Sequence, residues 1–331
     1  MNRSSRPAPP YLSDEEVRSY LGSTDILPAL KAVVLQVAAG AIVSMPRAAF
    51  GHGPLGEVTH LMAAMDHGNR RMVTKLVDYD PTRPHRTGRP SIVGLVTYAV
   101  AGEVVYLASA GTFTNIRTAA ATALAVDLMT RPEADVLTIF GAGPLAREEA
   151  IAIARCRKLR EIRIVSRSGV TADHLARELS GSLAISVRSL TAASPRQACR
   201  GADIVVTVTS AVDPFLVAGD VQPGTLVAAV GSGTRDRREL AGNLVGSAKS
   251  IVVETLEVAQ SEAGDLISAA IEGYLDFSTV LTLADILRSD YQPLVSEIAI
   301  YKSVGAAWED LACANIVAQQ LGATTHEPQS R

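Results

Sequence analysis

Three cations in the N-terminal part of the chain stand next to strand ends or turns: Arg47 follows a proline, Lys75 is centred in the apolar run MVTKLV, and Arg117 falls in NIRTAA. A lysine inside an otherwise apolar strand either points to solvent or is held in a polar pocket. If two or three of these cations converge, they form a receptor for a carboxylate, which arginine grips through paired hydrogen bonds. A second chemistry belongs to Gly141-Ala142-Gly143-Pro144-Leu145-Ala146, which follows the apolar run VLTIF and precedes a helix-period segment with Ile151 and Ala154 on one face. Such a strand, tight turn and helix can hold a dinucleotide. The first glycine makes the turn, the second admits a pyrophosphate, and a small third residue lets helix pack on strand. The helix N-terminus adds free N–H groups and partial positive charge.

Further along, the end of the second strand of such a unit would choose between cofactors. An acidic residue there would take the adenosine ribose, but the chain has Ser166-Arg167-Ser168. An arginine between hydroxyls suits a 2′-phosphate, so NADP(H) is preferred over NAD(H); otherwise Arg167 is a solvated loop cation. Thr207-Val208-Thr209-Ser210 and Val230-Gly231-Ser232 end the next two strands, on the carboxyl edge where open α/β sheets bind ligands. Cofactor contact and plain turn chemistry both account for those hydroxyls and that glycine.

The elements that must position these residues fall into two patterns. Ser13-Asp14-Glu15-Glu16 starts one helix and Asp25-Ile26-Leu27-Pro28 a second. From Arg47 to Thr112, turn signals (GHGPLG, DYDPTRPHRTGRP) alternate with the β-branched runs MVTKLV, SIVGLVTYAV and EVVYLAS, which reads as a mostly antiparallel sheet. An Ala-rich helix follows. Beyond Gly143, strand and helix alternate through EIRIVS, TADHLARELS, AISVRSL, SPRQACRG, ADIVVTVTS, TLVAAVG and SIVVET, the signature of a doubly wound parallel sheet. After Leu266 the pattern is helical, and the last strong helix is expected from Ser303 to Leu321, returning to the first domain. The fold class is therefore α/β, a Rossmann-type parallel sheet plus a discontinuous α+β domain. The expected division is 1–118 with 303–331, and 119–302.

Bulk properties exclude several functions. Of 331 residues, 47% are hydrophobic and 20% charged, with a formal net charge of -3, so neither nucleic acid nor an anionic membrane is an expected partner. Cys156, Cys199 and Cys313 are odd in number and far apart, which argues against disulfides and for a cytoplasmic setting. No metal is expected, because His52, His60 and His67 lack ligand spacing. The apolar stretch from Ile26 to Val43 is broken by Pro28, Lys31, Gln36 and Gly40 and reads as a helix and a strand rather than a membrane span. The Pro-rich residues 1–10 and the tail THEPQSR are expected to be disordered or frayed.

Taken together, YLSDEEVRSYL, Met45-Pro46-Arg47, Lys75 before DYDPTRP, Arg117-Thr118-Ala119-Ala120, Gly141-Ala142-Gly143, Val230-Gly231 with Arg238-Glu239-Leu240, and Lys302-Ser303-Val304-Gly305 with Glu309-Asp310-Leu311 resemble the ornithine cyclodeaminase/μ-crystallin family over nearly the whole chain. The resemblance implies a homodimer whose first domain binds substrate and makes the subunit contact, while the middle domain binds the cofactor. It gives Arg47, Lys75 and Arg117 the substrate carboxylate. It also places Thr118 with the cofactor residues Gly141, Ala142, Gly143, Pro144 and Leu145, and sets Ser303, Val304 and Gly305 near the nicotinamide. In the cyclodeaminases an aspartate two residues after the Val-Gly handles the substrate amine; here that position is Gly233. Asp236 and Glu239 could replace it, although their arginine-rich surroundings favour ordinary surface pairs.

Without that general base, cyclodeamination of ornithine or lysine is disfavoured. The implied activity is an NAD(P)H-dependent oxidoreductase of amine or imine chemistry, reducing a small cyclic ketimine carboxylate to an L-amino acid, with Lys75 and Arg117 as catalytic candidates. An amino-acid dehydrogenase that forms or splits N-linked amino acids and a non-catalytic cofactor-binding protein are the alternatives.

Overall fold

The computed structural model describes residues 8–51, 57–191 and 194–322. The expectations for residues 1–7, for the turn residues 52–56 with His52, and for the tail 325–331 lie outside the described residues. The chain divides into two units, Met1–Arg117 with Ala306–Arg331, and Thr118–Gly305.

The first unit is built on a seven-stranded sheet among the described residues. Its elements are β1 (Tyr11–Leu12), α1 (Asp14–Leu21), α2 (Leu27–Ala38), β2 (Ile42–Ser44), β3 (Ala48–Phe50), β4 (Val58–Asp66), β5 (Arg71–Tyr79), α3 (Arg83–Thr87), β6 (Ile92–Val100) and β7 (Glu103–Ser109). β2 to β7 pair antiparallel, as the alternating runs predict, and β1 joins the edge parallel to β7. At the start of α1, Ser13 and Glu16 satisfy each other's backbone N–H groups in a capping box. Between β6 and β7 the two-residue turn puts both Ala101 and Gly102 at positive φ, the geometry that follows strand twist. One face of β4 and β5 is covered by the C-terminal helix, which α1 and α2 pack against in turn. The stacked rings of Tyr98 and Tyr106 lie 5.4 Å apart, and their hydroxyls donate to Asn315 Oδ1 and the Ala314 carbonyl of that helix.

The next helix, α4 (Ala110–Met129), contains the division between the units. The second unit then continues with β8 (Val136–Phe140), α5 (Pro144–Cys156), β9 (Glu161–Ser166), α6 (Gly169–Ser182), β10 (Ser186–Thr191), α7 (Pro195–Cys199), β11 (Ile204–Thr207) and β12 (Leu226–Ala229). After these come α8 (Gly242–Ser247), β13 (Ala248–Val253), α9 (Leu256–Glu262), α10 (Gly264–Ile271), β14 (Leu281–Thr282), α11 (Leu283–Arg288) and β15 (Ile298–Lys302). All eight strands are parallel, in the order β10-β9-β8-β11-β12-β15-β13-β14. The α/β class with a doubly wound parallel sheet thus holds. The central strands β8, β11, β12 and β15 are buried along their whole length and mostly apolar, because both faces are covered.

Two expectations are corrected here. The segment after Leu266 is not purely helical: it includes β14 and β15, and β15 inserts between β12 and β13. All of β15 is buried, so its run IAIYK carries no period-2 signal. The last helix, α12 (Ala307–Gln320), begins after Ser303 rather than at it. Residues 303–305 are instead held away from helical geometry, with Gly305 at φ 82°.

This unit also buries a carboxyl between α4 and α5. Glu149 of α5 is fully buried, and its Oε1 accepts the Thr122 hydroxyl of α4 at 3.0 Å. Burial raises its carboxyl to about 8; the Thr122 hydrogen bond offsets this in part, and Glu148 adds to it.

Candidate active site

In the first unit, alternation along β5 turns Val73, Lys75 and Val77 to the buried face. Lys75 is only 1% exposed, and its Nζ donates to Asp310 Oδ1 of α12 at 2.7 Å. Arg117, on the last turn of α4 that belongs to this unit, pairs through Nη1 with Glu309 Oε2 and through Nε with Asp310 Oδ1 at 3.3 Å. All four groups are buried. Two cations and two carboxylates from three distant segments therefore share one apolar interior, where each charge is tolerable only because the others compensate it. Asp310 Oδ1 takes both cations, while its Oδ2 has no hydrogen-bond partner among the described residues.

This electrostatic setting is strongest on Lys75. Burial lowers its ammonium to about 8, Arg117 adds to that, and Asp310 and Glu309 oppose it. Cys313, one turn after Asp310, has its thiol pushed well up by burial, with Asp310 adding. Arg47 is half-buried on the connection between β2 and β3. The register slips by one residue between Ser44↔Ala64 and Ala48↔Leu61, so Pro46 and Arg47 come opposite Met62, which itself pairs with Lys75. In the sequence reading Glu309 and Asp310 served only as part of the family resemblance, with no chemical role. Their only local signal is two acids in the first turn of a helix that is otherwise apolar.

In the second unit, the expected cofactor residues lie on the carboxyl ends of the parallel strands. Gly141 has φ 128°, and a Cβ there would come within 2.7 Å of the Val208 carbonyl oxygen, so only glycine makes this turn. Gly143 is the N-cap of α5 and is exposed; a Cβ on it meets nothing within 4 Å, leaving open space before the helix start. Pro144 occupies the first helical turn, no side chain caps the helix, and Ala146 is buried. Ala142 and Leu145 are half-buried beside them. A helix start with uncapped N–H groups facing open space fits a pyrophosphate. Thr118 is buried on α4, and its carbonyl accepts the Thr122 hydroxyl. Beyond β9, the Ser166 hydroxyl accepts the Ser168 N–H at 3.3 Å and meets the Thr171 hydroxyl, and Arg167 is exposed at that turn.

Two buried carboxylates organise the remaining strand ends. Glu239 accepts the Thr207 hydroxyl, the Thr209 N–H and hydroxyl, and the Gly231 N–H, all at 2.7–2.9 Å. Its neighbour Val230 donates to the Thr207 carbonyl, and Val208 donates to that of Phe140. Past β15, Glu254 accepts the hydroxyls of Tyr301 and Ser303 and the N–H groups of Val304 and Gly305. The reading of Glu239 as a surface pair is therefore corrected. Four converging donors replace its hydration, and Arg238 pairs with Glu272 at 2.8 Å instead. With both oxygens engaged, Glu239 is not a spare acid for the gap at Gly233, whereas Asp236 is exposed. No group of three or more metal-ligating side chains occurs among the described residues.

Known proteins resemble this chain in sequence and fold. The sequence model of the ornithine cyclodeaminase/mu-crystallin family matches residues 10–325. The ketimine reductase mu-crystallin of Mus musculus is 28% identical over 319 residues, covering 94% of this chain and 96% of that protein. The Delta(1)-pyrroline-2-carboxylate/Delta(1)-piperideine-2-carboxylate reductase of Azospirillum brasilense is 32% identical over 308 residues, covering 92% and 94%. Among solved structures, the Thermococcus litoralis Delta(1)-pyrroline-2-carboxylate reductase in complex with NADH and L-proline superimposes with a TM-score of 0.86 at 26% identity, covering 94% of this chain and 98% of that one.

Proposed function

The chain belongs to the ornithine cyclodeaminase/mu-crystallin family, and from that premise we propose that it is a nicotinamide-dependent reductase of a small cyclic ketimine carboxylate, of the pyrroline- or piperideine-2-carboxylate type. The carrying observation is the buried cluster of Lys75 and Arg117 with Glu309 and Asp310. With Arg47, the first unit offers three cations to one substrate carboxylate. Arg47, Lys75 and Arg117 bind and orient that group, and the low dielectric around Lys75 and Arg117 strengthens the grip. In this reading the first unit carries the substrate site and the second the cofactor site. When bound, the reduced nicotinamide supplies the hydride.

The cofactor residues are those of the carboxyl edge: Gly141 to Leu145 for the pyrophosphate, Ser166, Arg167 and Ser168 for the adenosine ribose, and Thr118, Thr207, Val208, Thr209, Val230, Gly231 and Ser303 to Gly305 along the rest. Arg167 between two serines, with no acid at that strand end, supports NADP(H) over NAD(H). Gly233 removes the obvious base for cyclodeamination and so favours reduction.

A homodimer is part of the proposal. The outer face of the seven-stranded sheet presents Met72, Leu76 and Leu95, which are 38%, 48% and 37% exposed, with Phe50 and Val43 beside them on the same sheet. An apolar face of this kind suits an isologous contact with a second copy. Among the described residues no helix is long and apolar enough to cross a membrane. Cys156, Cys199 and Cys313 form no disulfide among the described residues, and a cytoplasmic setting is part of the same reading.

The test is direct. Purified protein mixed with NADPH and either cyclic ketimine should consume the reduced nicotinamide, whereas ornithine with NAD should give no turnover. NADPH binding without consumption on either ketimine would reject the enzyme reading.

A further inference from the structure

We propose that Glu239 is a positioning residue for the cofactor, a buried clamp that fixes the carboxyl ends of β11 and β12 in the shape that receives the nicotinamide dinucleotide; this rests on the cofactor edge read in the preceding subsection. β11 ends at Thr207 and β12 at Ala229, so Thr209 and Gly231 lie just past the strands. The Thr209 N–H needs an acceptor outside the strand ladder, and the Gly231 N–H, which also reaches the Thr207 carbonyl at 2.9 Å, takes a second one. Glu239 supplies them: Oε1 takes the Thr209 N–H and hydroxyl, each at 2.7 Å, and Oε2 takes the Thr207 hydroxyl at 2.8 Å and the Gly231 N–H at 2.9 Å. A carboxylate has about four acceptor directions, and all are filled. The close approach also explains Gly231, because a Cβ there would lie 2.4 Å from Thr209 N, 2.5 Å from Thr209 O and 2.7 Å from Glu239 Oε1.

The clamp is itself anchored. Asp265 of α10 accepts the N–H groups of Glu239 and Leu240 through Oδ1 at 2.6 and 2.8 Å, and its Oδ2 pairs with Lys302 of β15 at 2.8 Å. Lys302 donates in turn to the Ser232 carbonyl, in the loop that joins Gly231 to Glu239. Glu239, Asp265 and Lys302 are all fully buried. A charged network at this depth is costly to the fold. Its outward product is the placement of Val208, Thr209, Val230 and Gly231, whose side chains and backbone border the proposed cofactor.

The hydroxyl of Thr207 is spent on Glu239, so Thr207 acts toward the cofactor through the clamp rather than by direct hydrogen bonding from that oxygen. A glutamine at 239 would turn an NH2 group toward donors and leave at least one of them unpaired. The whole enzyme is titrated with NADPH, read by nicotinamide fluorescence, alongside its Glu239→Gln, Gly231→Ala and Thr207→Val forms. Glu239→Gln and Gly231→Ala should each weaken NADPH binding by about tenfold or more, while the KM for the ketimine at saturating NADPH stays within about twofold; Thr207→Val, which removes one donor of four, should weaken NADPH binding by about threefold. An NADPH affinity unchanged in Glu239→Gln, or an equal loss for NADPH and ketimine, would overturn the proposal. If Glu239→Gln does not fold, Thr207→Val decides, and an unchanged affinity there has the same meaning. Wild-type protein that retains no NADPH would instead defeat the cofactor reading itself.

Discussion

Raising the pH past about 8 should release a carboxylate ligand from this protein. An ordinary lysine keeps its proton over the whole range in which enzymes are assayed, with a value of 10.5, but burial and the neighbouring Arg117 bring Lys75 down to about 8 against the pull of Asp310 and Glu309. The sign follows from which form binds. A carboxylate is attracted to the ammonium and not to the amine, so affinity is full below about 8 and falls about tenfold for each further pH unit. At pH 9.5 about one Lys75 in thirty is protonated, which corresponds to a loss of about 2 kcal/mol in binding. The assay is calorimetric titration of the cofactor-loaded protein with pyrrole-2-carboxylate, a planar carboxylate that does not titrate in this range, from pH 7 to 9.5. The Lys75→Arg form, whose charge persists throughout, is the control. The expected result is a dissociation constant that climbs about 30-fold in the wild type and stays nearly level in the control. A flat wild-type profile would place Lys75 outside the receptor, and equal climbs in both proteins would assign the titration to another group.

Three other outcomes are expected. The Glu149 carboxyl is raised from 4.5 to about 8 in the folded protein, so the folded state holds a proton that the unfolded chain has lost between those values, and stability falls as pH rises through that window by up to about 1.4 kcal/mol per unit. Glu149→Gln should flatten this dependence, matching the wild type near pH 5 and melting higher near pH 8; parallel melting curves would contradict the assignment. Arg167→Asp should shift the ratio of kcat/KM for NADPH over NADH toward NADH by about tenfold or more, because a charge-assisted partner of the 2′-phosphate becomes a repulsive one. An unchanged ratio would mean that the phosphate is read elsewhere. The wild type is expected to scatter light as a dimer, and Leu76→Glu, which places a charge in the outer sheet face, should give a monomer at the same concentration; equal masses for the two proteins would move the contact to another surface.

The parts of the fold that were readable in the sequence are those with a local cause. The glycine turn after VLTIF is legible as strand, turn and helix because that pattern is local, although the contact that requires glycine at 141 comes from Val208 beyond β11. The antiparallel runs of the first unit show because one face is buried and the other is not, as Val73, Lys75 and Val77 alternate with Met72 and Leu76. What escaped depends on distant residues. Lys75 and Asp310 are 235 positions apart, so spacing could leave only the choice between solvent and a polar pocket. Glu239 was misread because Arg235, Arg237 and Arg238 surround it in sequence, while the donors it serves come from Thr207, Thr209 and Gly231. β15 and the late start of α12 were hidden for a related reason: a strand buried at all five positions has no period, and the Glu254 carboxylate that holds Ser303 to Gly305 lies some fifty residues earlier.

The central claim is that hydride reaches the α-carbon of a cyclic imine carboxylate. It is tested most directly by incubating the protein with NADPH carrying deuterium at both positions on C4 of the nicotinamide, together with Δ1-pyrroline-2-carboxylate, and recording the product by NMR. Proline with deuterium at the α-carbon, formed by the wild type and lost in Arg117→Ala, is the predicted result. Proline without the label, or no proline while the protein binds both compounds, would contradict it.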